Sequence, residues 1–409
     1  MPGKVPTGAH CRWIGWPAVL LGAAMAAMTG MAAAAAGPPP LAAFFEGVRV
    51  QHAALSPDAH YVAMVANIEG REIVVVKDIV QRTPLRAVLA ADARDEMYPQ
   101  WCGWANATRL LCSFRGLQSD AGKFFPLTRL VAVNADGTAI RILANSQTTW
   151  TQLGDQIIDW TPDDPRTVLI ELDQSEQNSL GSAADSIGGG PNGYPDVYAL
   201  DVYTGRKQIV QRERAPIEHF DTDNHGRIRL GYGTKDTQLL FFGRLEGDRS
   251  WKELARAEAY TGEDVFEPVS AIAGTNFAYA RRNYQGRDAL WKIDLDDNAN
   301  PQLVFAHPEV DLDGTVFTAD GRLLGFTFET QRPGAYYTDP DAARAYDAVR
   351  RALPDMSSRI IDMTPDAKGF LIRSESDVAA PLYYVLDLHG AAARLDAVAA
   401  RVQIGRAHV

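Results

Sequence analysis

The chain has 409 residues, more than an ordinary single domain of about 100–200 but within reach of one large repeat-built domain. Hydrophobic residues make up 46% and charged residues 22%, ordinary values that exclude disordered, collagen-like and disulfide mini-protein classes. The formal net charge of −11 argues against a nucleic-acid binder, which needs a basic face for phosphate contacts.

Residues 1–36 read as a secretory signal peptide. Lys4, His10 and Arg12 make a short basic start, and no charged residue follows from Trp13 to Phe45. The apolar stretch Ala18–Met31 runs into Ala32–Ala36, Gly37 and Pro38-Pro39-Pro40, so cleavage is expected within Ala32–Gly37. A retained membrane anchor would need some ~20 strongly apolar residues. This segment is mostly Ala and Gly, with Pro17 near its start, so no stable anchor is expected. Cys11 precedes the apolar run, the wrong side for a lipoprotein. The expected location is periplasmic or secreted. Removing two basic and no acidic residues takes the formal charge to −13. Residues 37–43 form a linker.

From 44 to 390 short runs of Val, Ile, Leu, Tyr and Phe alternate with Asp/Asn/Gly/Pro turns, as in YVAMVAN, TVLIELD and GFLIRSE. This pattern predicts many short antiparallel strands. Cys102 and Cys112 flank an expected turn at Ala105–Thr108. A loop with an odd number of residues sets them opposite each other, while an even one pairs Cys102 with Leu111. The register stays open between a disulfide, which export permits, and two buried thiols. Ser56-Pro57-Asp58, Thr161-Pro162-Asp163 and Thr364-Pro365-Asp366 each precede a strand, with weaker relatives at Asn134-Ala135-Asp136-Gly137 and Thr318-Ala319-Asp320-Gly321. Pro presets φ and Asp bonds nearby backbone N–H groups in such turns. A second unit, an apolar strand ending in Asp before a polar turn, recurs in LDVYTGRKQIV, WKIDLDDNANPQLV and YYVLDLHGAAARL. Strand-turn-strand units repeating over this length predict an all-β fold, a seven- or eight-bladed β-propeller at roughly 43–50 residues per blade. Ser175–Gly193, with Gly188-Gly189-Gly190, reads as a long loop; it lacks the Lys of a phosphate-binding P-loop. One short helical insertion is expected after Asp339. Asp339 caps it, Pro340 suits its first turn and Pro354 stops it; Ala342, Tyr346, Val349 and Leu353 form its apolar face, expected to pack on a blade edge.

No G-x-S-x-G, H-E-x-x-H or C-x-x-C motif occurs, and the eight histidines do not cluster at metal-ligand spacing. Asp221-Thr222-Asp223-Asn224-His225-Gly226 resembles the start of a calcium loop, but His225 holds position five and Tyr232 stands where the closing Glu belongs, so a hairpin turn is expected. Trp101, Trp104, Trp150, Trp160, Trp251 and Trp291 are expected in the core. The sequence therefore nominates no catalytic, cofactor-binding or metal residue.

The ordered series ALSPDAHYVAMVAN, YPQWCGWANATRLLCSF, IIDWTPDDPRTVLIEL, GRDALWKIDL and IIDMTPDAKGFLIRSESDVAAPLYYVLDLHG resembles the N-terminal β-propeller of exported bacterial serine peptidases of the prolyl oligopeptidase family. The resemblance covers about residues 44–390. It implies a propeller that gates short peptides into an α/β-hydrolase domain, the missing partner, which carries the family's Ser, Asp and His; none maps onto this chain. The Glu-Glu pair of the dipeptidyl-peptidase branch is also absent. Residues 391–409 read as a C-terminal stub. Its last six, Ile404–Val409, match the translation of a short-read sequencing adapter and are expected to be non-native. The chain alone is expected to lack peptidase activity. A periplasmic protein-binding scaffold and a metal-dependent propeller hydrolase are the alternatives.

Overall fold

The computed structural model describes residues 50–68, 70–91, 96–120, 123–144, 149–161, 163–173, 175–176, 194–297, 300–376, 381–388 and 394–399. All belong to one unit, Gly47–Val409. The segments read as a signal peptide (1–36) and a linker (37–43), most of the Ser175–Gly193 segment and the final residues lie outside them. Among the described residues no helix is long and apolar enough to cross a membrane.

Among the described residues the strands form seven successive sheets of three to five strands, plus a two-stranded ribbon of Thr149–Trp150 with Ser175–Glu176. The first sheet is an up-and-down meander of Val50–Leu55, Tyr61–Ile68, Arg71–Asp78 and Arg86–Ala90. The second is built on Tyr98–Trp104, Arg109–Asp120 and Lys123–Asn134. Arg141–Ile142 pairs antiparallel with Lys123–Asn134, and Leu153–Gly154 joins the same strand in parallel. The third to fifth sheets start at Ile157–Asp159, His219–Thr222 and Glu267–Ala271 and repeat the meander. The sixth has three strands, Leu312–Phe317, Leu323–Glu329 and Pro333–Tyr337. The seventh comprises Ser357–Met363, Gly369–Glu375, Leu382–Asp387 and Arg394–Ala399. Its fourth strand lies within 391–409, so the β structure runs on past residue 390.

Alternation along these strands gives each sheet two apolar faces, and neighbouring sheets share the clusters between them. Val74, Val88, Trp104 and Leu110 join the first sheet to the second. Leu111, Leu130, Val168 and Leu200 join the second to the third. Leu324, Tyr337, Ile360 and Phe370 join the sixth to the seventh. Val50, Val62, Leu371, Tyr383 and Val385 pack the last sheet on the first, across more than 300 residues of chain. That seam carries two hydrogen bonds, Leu55 N–H to Asp362 Oδ2 at 2.7 Å and Tyr383 O–H to the Val50 carbonyl at 3.2 Å.

The Ser/Thr-x-Asp turns link the first and second strands of their sheets. Ser56 Oγ donates to Asp58 Oδ1 at 2.6 Å, and Thr364 Oγ1 to Asp366 Oδ1 at 2.6 Å. In both, a residue at positive φ (Ala59 at 56°, Ala367 at 53°) donates its N–H back to the Ser or Thr carbonyl. Thr318 bonds Asp320 in the same way. Asn134-Ala135-Asp136-Gly137 is different: it turns from Lys123–Asn134 to Arg141–Ile142, later in its sheet. The same Asx chemistry closes either hairpin, so the sequence pattern does not distinguish them.

The helix spans Pro340–Ala352. Asp339 caps it by accepting from the N–H groups of Asp341 and Ala342, both at 3.0 Å. It follows the third strand of the sixth sheet, where other sheets place a fourth. It packs Ala342, Ala345 and Val349 into the cluster shared with the seventh sheet, flanked by the half-buried Tyr346 and Leu353.

Candidate functional site

Alternating strand direction gives the assembly two ends. At one end lie the first-to-second strand turns, Ser56–His60 among them. At the other, first strands begin, second strands end and successive sheets connect. The first described strand starts at this second end, and the last, Arg394–Ala399, finishes there.

A cleft of about 1290 Å³ opens at that end between the first two sheets, lined by Gln51, Arg71, Glu72, Tyr98, Gln100 and Arg115. Gln51 Nε2 donates to Glu72 Oε1 at 2.7 Å. Tyr98 and Arg115 are directly opposite across adjacent strands. Gly116 forms part of the wall: a Cβ there would press on Met97 Sδ and come within 3.0 Å of the Glu96 carbonyl. Beyond the cleft the hairpin of the second sheet continues as a two-stranded ribbon. Leu117 faces Pro126 and Ser119 faces Phe124, so Leu117, Phe124 and Pro126 share one side. Leu117 is 59% and Phe124 73% exposed.

A second group lies between the third and fourth sheets. The buried Glu171, near the end of Thr167–Leu172, accepts from His219 Nδ1–H at 2.7 Å and from the Phe220 N–H at 3.0 Å. This pairing raises the His219 pKa. Asp221, two residues along the same strand, has its pKa pushed up to about 7 by desolvation, with the negative charges of Asp159 and Glu171 adding to the effect. The Tyr232 ring lies 5.1 Å from His219, and burial raises its pKa too. Asp159 accepts from the Thr161 and Gly226 N–H groups, bridging the same two sheets at the opposite end. Glu171, His219 and Asp221 therefore lie together between the two sheets, with His219 held towards its protonated form by Glu171 and Asp221 towards its protonated form by burial. Glu171 and His219 are 48 positions apart, so no local motif announces them. Perturbed carboxylates of this kind concentrate at functional sites.

Cys102 stands directly opposite Cys112, with Cα atoms 4.1 Å apart and the side chains joined in a disulfide inside the first-to-second sheet cluster. The intervening turn takes the odd register. Trp104 is buried there, its indole N–H donating to the Ala54 carbonyl at 3.2 Å. Trp101, Trp160, Trp251 and Trp291 pack against clusters between other sheets; the Trp150 side chain lies outside the described residues. Asp223–Arg227 is a hairpin turn, with Asp223 Oδ1 accepting from the His225 and Arg227 N–H groups. Among the described residues no three His, Cys, Asp or Glu side chains are grouped to hold a metal ion.

No protein family description and no curated protein matches the chain. Solved structures do. A structure from a study of two prolyl endopeptidases matches with TM-score 0.53 and 10% identity, over 86% of this chain and 50% of that one. Prolyl oligopeptidase B from Galerina marginata matches with TM-score 0.48 and 11% identity, over 84% and 51%. Pyrococcus horikoshii acylaminoacyl peptidase matches with TM-score 0.39 and 12% identity, over 83% and 50%. The first of these establishes a shared fold: the chain is a β-propeller of the kind found in prolyl oligopeptidase-like peptidases. It spans about half the length of these structures.

Proposed function

We propose that the chain is the seven-bladed, substrate-gating propeller of an exported serine peptidase of the prolyl oligopeptidase family. Its partner in this reading is an α/β-hydrolase domain, and the substrates are short peptides. The observation that carries the reading is the propeller likeness at TM-score 0.53 confined to half of a prolyl endopeptidase. Placement adds support. Both ends of the described chain, the cleft and the exposed Leu117–Phe124 ribbon lie at one end of the assembly, so a domain joined there would cover them. Residues 1–36 act as the export signal, and the Cys102–Cys112 pairing suits an oxidising compartment. Catalysis would belong to a Ser-His-Asp triad in the partner domain.

The test has two parts. The purified chain, offered peptide-nitroanilides, is expected to show no turnover; hydrolysis blocked by a serine-directed phosphonate would overturn that. Genomic codons downstream of residue 403 are expected to encode G-x-S-x-G within a few hundred positions. A native stop near residue 400 would favour a protein-binding scaffold instead.

A further inference from the structure

The Asp362 clasp and the Tyr383 bond are not the only polar features of the seam between the last and first sheets. Arg359 and Arg373 stand directly opposite each other on adjacent antiparallel strands, and Arg373 in turn opposes Tyr383. Directly opposed residues project to the same face, so Arg359, Arg373 and Tyr383 form one row across the seventh sheet. Tyr383 donates its O–H to the Val50 carbonyl, so this face looks onto the first sheet.

Two guanidinium groups side by side repel, and the row holds little to offset them. Arg373 Nη2 pairs with Glu375 Oε2 at 2.6 Å. Arg359 has no hydrogen-bond or ion-pair partner among the described residues. The Nε atoms of both arginines are buried and unpartnered. Buried donors normally find acceptors, because a donor taken out of water without one loses its hydration and gains nothing in return. Two forks with one carboxylate between them leave a net positive charge and donors that match a planar or tetrahedral oxyanion.

We propose that Arg359 and Arg373 form a binding site for a carboxylate or phosphate oxyanion at the seam between the last and first sheets. The bound oxyanion accepts from both guanidinium groups and removes their mutual repulsion. It stabilises the seventh sheet where that sheet meets the first.

Thermal unfolding and isothermal titration on the full chain test it, with three probes: inorganic phosphate, an Ala-Ala-Pro peptide with a free carboxylate, and the same peptide amidated. Saturable binding of at least one anionic probe is expected, with a rise in Tm. Binding of the free-acid peptide but not the amide identifies a peptide terminus as the source. Binding of phosphate alone identifies a free oxyanion. Arg359→Gln is expected to weaken binding at least tenfold, yet to match or exceed the parent Tm without anion, because it relieves the repulsion. Arg350→Gln, on the exposed face of the helix, is expected to bind like the parent. Arg359→Lys keeps the charge without the fork and is expected to fall between, which covers a poorly folding Gln variant. No saturable binding by the parent, or equal binding by Arg359→Gln, overturns the proposal.

Discussion

Asp362 accepts the Leu55 N–H across the seam and the N–H of Met363 beside it, and desolvation there pushes its pKa up to about 6. Asp221 is raised further, to about 7. A carboxyl group raised on folding binds more protons in the folded than in the unfolded chain between its two pKa values, so stability falls as pH rises across that window. The windows run from about 4 to about 6 for Asp362 and to about 7 for Asp221. His219, raised by Glu171, acts in the same direction: its contribution is present in acid and lost as pH rises through its folded value. The protein is therefore expected to be more stable near pH 5 than near pH 8. Asp362→Asn keeps an acceptor for Leu55 and removes one titration. Its unfolding free energy in urea should change less than the parent's between pH 4.5 and 7, by about 2 kcal/mol; an unaltered pH dependence would count against this assignment. Arg109 makes a different residue-scale case. It is 1% exposed and donates to the carbonyls of Val202 and Ala139 and to Asn134 Oδ1 at 2.8–3.0 Å. Arg109→Met leaves those acceptors unpaired and should cost about 3 kcal/mol in chemical unfolding.

At the scale of the element, what the sequence made legible was local. Asp339, Pro340 and the apolar positions predict the helix because capping and periodicity operate within a few residues. The Ser/Thr-x-Asp turns are legible for the same reason. Position within a sheet is not: the Asn134 turn has the same chemistry at a later hairpin. The cysteine register depended on whether the turn after Trp104 holds an odd or even number of residues, and Asn106 decides it. Its Oδ1 accepts from the Thr108 and Arg109 N–H groups, and Ala105 N–H bonds the Arg109 carbonyl. The resulting bridge closes a short loop, with a sequence separation of 10. Replacing both cysteines with serine should lower stability by about 2–3 kcal/mol in oxidising buffer. In reducing buffer the difference from the parent should shrink to the packing loss alone.

The molecule as a whole shows why the candidate sites stayed hidden in the sequence. Glu171 meets His219 across 48 positions, and Leu55 meets Asp362 across 307. Such contacts follow only from how sheets stack, which strand periodicity does not encode. The all-β class was legible because most strands pair with a neighbour in sequence; length alone left seven and eight repeats both open. The cleft and the exposed ribbon were not, since both depend on the length to which Arg109–Asp120 and Lys123–Asn134 overrun their neighbour Tyr98–Trp104.

Each of the seven described sheets draws its strands from its own stretch of the chain, only the short ribbon of Thr149–Trp150 with Ser175–Glu176 standing apart, and the seam between last and first is held by side chains and two hydrogen bonds. Strand pairing is therefore short-range in sequence, and one contact surface alone is truly distant. Sheets can form one after another as the chain is synthesised, with a single late docking event between the two ends. The position of the chain break is then arbitrary for the sheets. A circular permutant opened at 212–218, between the third and fourth sheets, with residues 50 and 399 joined by a linker, keeps every hairpin intact. Its circular dichroism spectrum should match the parent, and it should fold no more slowly.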